Sequence, residues 1–368
     1  MMTREETLKK YPQWDDWKWQ FRHRIMTVDA LKKVLTLTEK EQEDIALCLS
    51  RFRMAITPYY ASLILSSDPS DPIRRQCVPS IEETYPCDTD LDDPLNELGD
   101  SPVPNIVHRY PDRVLFLVTL QCSMYCRHCT RRRAVGEEDR PITEKGIKIA
   151  LDYIRTHEKI RDVLISGGDP LTMGTEKLEH IISALRAIPH VDIIRIGTRV
   201  PVVMPMRIDD ELLSMLKKYQ PIWINTHFNH PNEITPDSEK ACERIVDAGI
   251  PLGNQSVLLR GINDNAETMK TLLLKLVHMR VRPYYLYQCD LSVGISHFRT
   301  RVETGVDIIH TLTGNISGFA VPKFVIDAPG GGGKIPINYE YVISKDNKEV
   351  VMENFQGRIF RYPQPKDL

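Results

Sequence analysis

Within the 368 residues there is no apolar run approaching the ~20 that a membrane helix needs. There is no surplus of charge either: the formal net charge is −2 and 27% of residues are charged, so neither nucleic acid nor a membrane surface is an expected partner. The opening stretch MMTREETLKKY lacks the apolar centre of a secretory leader, and a soluble, cytoplasmic protein is expected. No internal repeat or low-complexity tract is evident. One further lack is local. CSMYCRHCT places Cys122, Cys126 and Cys129 within eight positions and supplies no fourth cysteine nearby.

Eight cysteines are present in all, and without a leader they read as thiols or metal ligands rather than disulfides. Cys48, Cys77, Cys87, Cys242 and Cys289 are scattered and read as small buried hydrophobes. The cluster of three is different. Its C-x3-C-x2-C spacing matches neither paired zinc half-sites nor four-cysteine ferredoxin runs. Three thiolates can hold three irons of a 4Fe–4S cluster and leave the fourth iron open to another ligand. A zinc ion completed by His128 or a distant residue, or three incidental thiols, are the other readings.

Along the chain, residues up to about 65 carry helical spacing, as in TVDALKKVLTLTEKEQEDIALCLSRFRMAI. Residues 66 to about 106 are rich in Pro and Asp and predict an extended connection. Six short apolar runs then alternate with amphipathic stretches: RVLFLVTL (113–120), RDVLISGG (161–168), DIIRIGTR (192–199), PIWINTHF (221–228), PLGNQSVLL (251–259) and RPYYLYQ (282–288). That rhythm predicts parallel strands with crossover helices. Six units are fewer than the eight of a closed barrel, so the expected fold is α/β with an open, partial (β/α)6 barrel. The expected divisions are a helical region and connection over 1–106, the barrel over 107–310, and a short strand-rich segment over 311–368 packing on it. Polar residues gather just after the runs, among them Cys122, Asp169, Arg199, His227, Asn229 and Asp290. Ligand sites of parallel α/β folds lie at those carboxyl ends.

DAPGGGGKIP (327–336) fails as a phosphate-binding Walker loop, since Ala328 and Ile335 stand where Gly and Ser/Thr belong. Two readings remain: a surface turn, or a mobile lysine, Lys334, that forms a Schiff base with pyridoxal phosphate (PLP).

The cysteine spacing after a first strand, followed by SGGDP (166–170), resembles the radical S-adenosylmethionine (SAM) superfamily. Together with NTHFNHPNEIT, GNQSVLLRG, RPYYLYQCDLS, GISHFRT and DAPGGGGKIP in that order, the chain resembles the lysine 2,3-aminomutase family from DWKWQFRHRI (16–25) to about residue 360. The resemblance implies a 4Fe–4S cluster on Cys122, Cys126 and Cys129, and SAM against Ser166, Gly167, Gly168, Asp169 and His227. It implies PLP on Lys334, with Arg109, Arg113, Gln255 and Tyr287 around it. Arg131 would grip the substrate carboxylate, while Arg132 or Arg133 reads as a solvated basic face.

Asp290 and Asp327 bear on the substrate. A buried alkylammonium needs opposing charge, and the family's lysine-specific members carry two aspartates at these positions. The resemblance therefore implies interconversion of L-lysine and L-β-lysine, with a flavodoxin or ferredoxin as electron donor and a homo-oligomer, dimer or higher. The alternatives are an arginine 2,3-aminomutase, supply of β-lysine for modification of a translation factor, and a non-catalytic iron–sulfur or zinc protein. Some family members add a cysteine-bearing tail that binds zinc at a subunit contact. Here the sequence ends at RYPQPKDL, and Asn265 stands where those relatives place a further cysteine ligand, so that zinc site is not expected.

Overall fold

The computed structural model describes residues 4–135 and 142–365, leaving the first residues of the charged opening stretch and the last of RYPQPKDL outside the described residues. Its centre is a nine-stranded sheet whose spatial order follows the chain. The strands are β1 (Ile106–Tyr110), β2 (Arg113–Thr119), β3 (Asp162–Gly167), β4 (Ile193–Gly197), β5 (Ile222–Thr226), β6 (Leu252–Leu258), β7 (Arg282–Gln288), β8 (Lys323–Ala328) and β9 (Gly333–Pro336). β2 through β8 run parallel; β1 and β9 turn back antiparallel on the two edges. The six expected strands are thus β2–β7. A seventh parallel strand, β8, extends the sheet across residue 310, and no β1–β9 pairing closes it.

Each crossover between parallel strands carries a helix, and the local chemistry explains where each begins. Thr143, Asp209, Thr235 and Asn265 cap the helices Glu144–Thr156, Asp210–Lys217, Pro236–Asp247 and Ala266–His278, each side chain accepting from a backbone N–H in the first turn. Asn265, at the position where some relatives place a cysteine, is thus a helix cap, with Thr268 N at 2.9 Å. One stripe of each helix faces the sheet. On Glu144–Thr156 it comprises Ile147, Ala150, Leu151 and Ile154. Each fully buried Ile or Leu there contributes about 1.5–3 kcal/mol.

Strand alternation separates the two faces of the sheet. In β3, Val163 and Ile165 are buried beneath the helices, while Asp162, Leu164 and Ser166 turn to the inner side. The inner side is therefore a lumen, lined by large apolar and aromatic side chains such as Leu164, Trp223 and Tyr285 with charged groups among them, rather than a filled core. One contiguous apolar cluster runs outside it, from Trp14, Leu31, Ile45 and Tyr60 near the N-terminus through Phe116 and Ile165 to Phe324.

The connection over 66–106 is not simply extended. It contains the helix Pro72–Cys77 and a turn of 3-10 helix at Ile81–Thr84, and it buries Ile73, Cys77, Glu83 and Glu97. A separate three-stranded sheet, β10 (Val342–Lys345), β11 (Glu349–Glu353) and β12 (Ile359–Pro363), ends the described chain. No helix of the described residues is long and apolar enough to cross a membrane.

Candidate active site

A cavity of about 900 Å³ occupies the lumen, and ten of the residues singled out in the sequence line it: Arg109, Arg113, Arg131, Ser166, His227, Gln255, Tyr287, Asp290, Asp327 and Lys334. The remaining six are not among its lining residues. Cys122, Cys126 and Cys129 form the loop leaving β2, and Gly167, Gly168 and Asp169 end β3.

These two strand ends are tied together. Gly168 N donates to Thr119 O (2.6 Å) and Asp169 N to Gln121 O (2.7 Å). Gly167 has φ +131°, and a Cβ there would lie 2.2 Å from Thr119 O; at Gly168 it would lie 2.1 Å from Gln121 O. Only glycine permits that approach. The Asp169 carboxylate is occupied by the scaffold: it accepts from Leu171 N, from Thr198 Oγ1 (2.7 Å) and from Arg199 N (2.7 Å), bracing the end of β3 against that of β4. Burial raises its pKa despite those bonds.

The cysteine loop is held from below by buried charge. Arg127 donates through Nε to Glu83 (2.9 Å) and through Nη1 to Arg53 O (2.8 Å). Arg132 reaches Glu83 as well, and Gly294 O at 2.8 Å, with its guanidinium 3.7 Å from the Phe52 ring centroid. Arg132 is therefore a buried clamp and not part of a solvated face; Arg133 is paired with Asp93 at 3.1 Å. Arg199 donates to Cys126 Sγ at 2.8 Å while also binding Gln76 and Glu233. Burial opposes its charge, yet Cys126, Tyr60 and Glu233 hold its pKa above the ordinary value. Burial pushes the Cys129 thiol up to about 11, Cys126 adding to the rise.

Cationic support for a sulfur ligand fits an anionic metal–thiolate centre. Around it lie buried polar atoms without a hydrogen-bond partner: Ser123 Oγ, His128 Nδ1, Arg199 Nε and His227 Nε2. His227 is held neutral, its pKa lowered to about 3 by burial and by Arg199. Orphaned buried donors and acceptors are costly unless a bound group satisfies them. Among the described residues no three His, Cys, Asp or Glu converge on a single ion. A cubane asks for something else, one thiolate at each of three separate irons.

At the other end of the cavity the glycine run forms the turn of a hairpin, with φ of +74°, +88° and +79° at Gly330, Gly331 and Gly333. Its register sets Asp327 directly opposite Lys334. Lys334 Nζ lies 3.1 and 3.3 Å from the two Asp327 oxygens and 5.4 Å from the Tyr287 ring centroid. Lys334 N donates to Tyr110 Oη (3.0 Å), and the Arg113 guanidinium sits 4.1 Å from the Tyr110 ring. Arg109 is braced by Asp100 (2.8 Å) and by Leu95 O. A primary amine over the Tyr287 ring, in a cavity that Arg109 and Arg113 also line, fits an aldehyde cofactor bearing a phosphate.

Asp290 is half-buried and accepts from Thr130 Oγ1 (2.5 Å). Its pKa is raised to about 6, chiefly by burial and further by Asp327, against the hydrogen bond from Thr130 and the charges of Lys334 and Arg131. Arg131 is held by Glu97 through both carboxylate oxygens, Nε lying 2.8 and 3.0 Å away.

Sequence reasoning noted Arg199 only as a polar strand-end residue and did not single out Glu83, Glu97, Asp100 or Tyr110. None of these sits in a motif; their roles come from partners far along the chain. Of the scattered cysteines, Cys48, Cys77, Cys242 and Cys289 are buried, but Cys87 is partly exposed.

The chain resembles known proteins in sequence. A radical SAM superfamily model matches residues 116–273, and a lysine-2,3-aminomutase model matches residues 309–368. The chain is 60% identical over 352 residues to an L-lysine 2,3-aminomutase of Acetoanaerobium sticklandii, covering 96% of this chain and 85% of that protein. It is 58% identical over 352 residues to an L-lysine 2,3-aminomutase of Clostridium subterminale, with the same coverage of each. Among solved structures, SuiB of Streptococcus suis bound to S-adenosylmethionine aligns with a TM-score of 0.46 at 13% identity, over 59% of this chain and 51% of that one.

Proposed function

Given that the chain belongs to the lysine 2,3-aminomutase family of radical SAM enzymes, we propose that it interconverts L-lysine and L-β-lysine by moving the amino group between carbons 2 and 3. One observation carries the choice of substrate. The Lys334 ammonium already lies against Asp327, with Asp290 acting on the same charge, so the cavity binds a primary alkylammonium with paired carboxylates. The side-chain ammonium of a lysine substrate is the same chemical group. Once Lys334 is engaged by the cofactor, that acidic pair is left to a second ammonium, and an unpaired buried charge would cost several kcal/mol.

When bound, the cluster supplies an electron to SAM, SAM supplies the hydrogen-abstracting carbon radical, and PLP supplies the π-bond across which nitrogen migrates. The protein's part is placement. Cys122, Cys126 and Cys129 would hold three irons and leave the fourth for SAM, with Arg199 offsetting thiolate charge at Cys126. The bare backbone at Gly167 and Gly168, together with Ser166 and His227, would receive SAM, and Asp169 would hold that strand end in place from behind. Lys334 would carry PLP, with Arg109, Arg113, Gln255 and Tyr287 around it. Arg131 would bind the substrate carboxylate while Asp290 and Asp327 hold the distal ammonium, so the substrate is stretched between two charged ends and its carbons 2 and 3 are fixed between the cofactors.

A one-electron donor of the flavodoxin or ferredoxin type, a homo-oligomeric assembly and a cytoplasmic location complete the proposal. The test is anaerobic turnover of the reduced, reconstituted enzyme with L-lysine and, in parallel, L-arginine, the product being identified by mass and NMR. β-Lysine is expected. Turnover of arginine alone would overturn the choice of substrate, and the absence of any amino migration would overturn the activity.

A further inference from the structure

We propose that Glu97 is a positioning residue for substrate binding, fixing the guanidinium of Arg131 so that one defined pair of its donors faces the substrate carboxylate. The inference rests on the reading of Arg131 as the carboxylate-binding group.

An arginine offers five N–H donors in a planar fork and can present two different edges to carboxylates. Glu97 takes one edge: Arg131 Nε lies 2.8 and 3.0 Å from its oxygens and Nη2 lies 2.6 Å from Oε1. Among the described residues Nη1 has no partner, so the Nη1–Nη2 edge remains for a second carboxylate. Both residues line the cavity, and Glu97 itself is buried.

Glu97 does not float. Arg133 approaches its second oxygen at 3.7 Å while pairing with Asp93 at 3.1 Å. The segment carrying it is fastened on three sides. Pro94 O accepts from Gly330 N (2.9 Å) in the turn before Lys334, Asp100 binds Arg109, and Leu91 N donates to Leu291 O (2.7 Å) beside Asp290. One acidic strap therefore holds Arg131, which would receive the substrate, and Arg109, placed at the cofactor end, and it is tied to the turn that delivers Lys334.

The test uses the anaerobic holoenzyme with L-lysine and with L-lysinamide, which lacks the carboxylate. Glu97→Gln keeps the shape and removes the charge. It is expected to raise KM and the calorimetric Kd for L-lysine on the order of tenfold, with kcat held within about threefold and L-lysinamide binding unmoved. Arg131→Lys should raise KM at least as much, and adding Glu97→Gln to it should bring no further rise. A purely structural role for Glu97 would instead lower the active fraction at constant KM, and that result overturns the proposal. If Arg131→Lys weakens L-lysine and Glu97→Gln does not, positioning by Glu97 is refuted while the role of Arg131 stands. If Arg131→Lys also leaves L-lysine binding unchanged, the reading of Arg131 itself falls. Should Glu97→Gln fold poorly, Glu97→Asp retains the charge and carries the same comparison: weaker L-lysine with unchanged L-lysinamide supports the proposal, and equal weakening of both overturns it.

Discussion

Lys334 and Asp327 face each other across the β8–β9 hairpin, with Nζ 3.1 Å from the nearer carboxylate oxygen. The contact follows from strand register and not from a loop conformation. It puts Lys334, the proposed cofactor amine, and Asp327, a proposed wall of the substrate pocket, on one element.

Replacing Lys334 by Ala should abolish retention of PLP, seen as loss of the cofactor's visible absorbance and of its trapping by borohydride. Iron content should be unchanged, since the cysteine loop stands on another strand end. A Lys334→Ala protein that still binds PLP in borohydride-reducible form would contradict the assignment.

Asp290 sets a pH dependence. Its pKa is raised to about 6, so its carboxylate is lost as pH falls through that value and persists above it. Binding of a cationic substrate needs the ionised form. kcat/KM for L-lysine should therefore fall as pH drops below about 6, approaching tenfold per unit. Asp290→Asn should remove that limb and raise KM by ~30-fold or more, corresponding to at least about 2 kcal/mol. A profile flat from pH 5 to pH 8 would argue against Asp290 as the ammonium partner.

Gly168→Ala tests the junction between β3 and the cysteine loop. The new methyl would lie 2.1 Å from Gln121 O, so one of the two strand ends must move. SAM binding and reductive SAM cleavage should fall by at least about tenfold, since an ångström of displacement at a reacting centre can cost about a hundredfold. Equilibrium binding of SAM to the reconstituted protein measures this without turnover.

Glu83 anchors two buried guanidiniums beneath the cysteines. Glu83→Ala leaves both without their counter-charge and should destabilise the fold by about 3–5 kcal/mol, visible in urea unfolding. Arg127 and Arg132 hold the Glu83 pKa below its ordinary 4.5 although burial pushes the other way. Its contribution is thus complete above about pH 4.5 and fades as pH falls through the lower folded-state value. The variant should therefore lose the corresponding part of the wild-type acid sensitivity.

The barrel strands were legible because each is a short, mostly apolar run followed by a polar residue at its carboxyl end, and β2–β7 coincide with those runs. β1 (IVHRY) and β9 (GKIP) were not, being short and part polar; their pairing depends on the neighbouring strand. Lys334, Asp290 and Asp327 were singled out only through motif resemblance. Arg132 reads as solvated in RRR because nothing nearby in sequence opposes it; its partner, Glu83, lies 49 positions away. Glu97 and Asp100 were hidden for the opposite reason. A stretch rich in Asp, Glu and Pro looks like a solvated connector, and only the fold brings the arginines to it.

Strand order equals chain order throughout the main sheet. As the polypeptide leaves the ribosome, each new unit can add to the edge left by the one before, so the sheet can grow during synthesis without waiting for distant sequence. The catalytic chamber cannot. It joins a strap near residue 97 to a hairpin at 327–334. A nascent chain would thus carry its cysteine loop long before the hairpin at 327–334 is made, and would become competent for chemistry only after it.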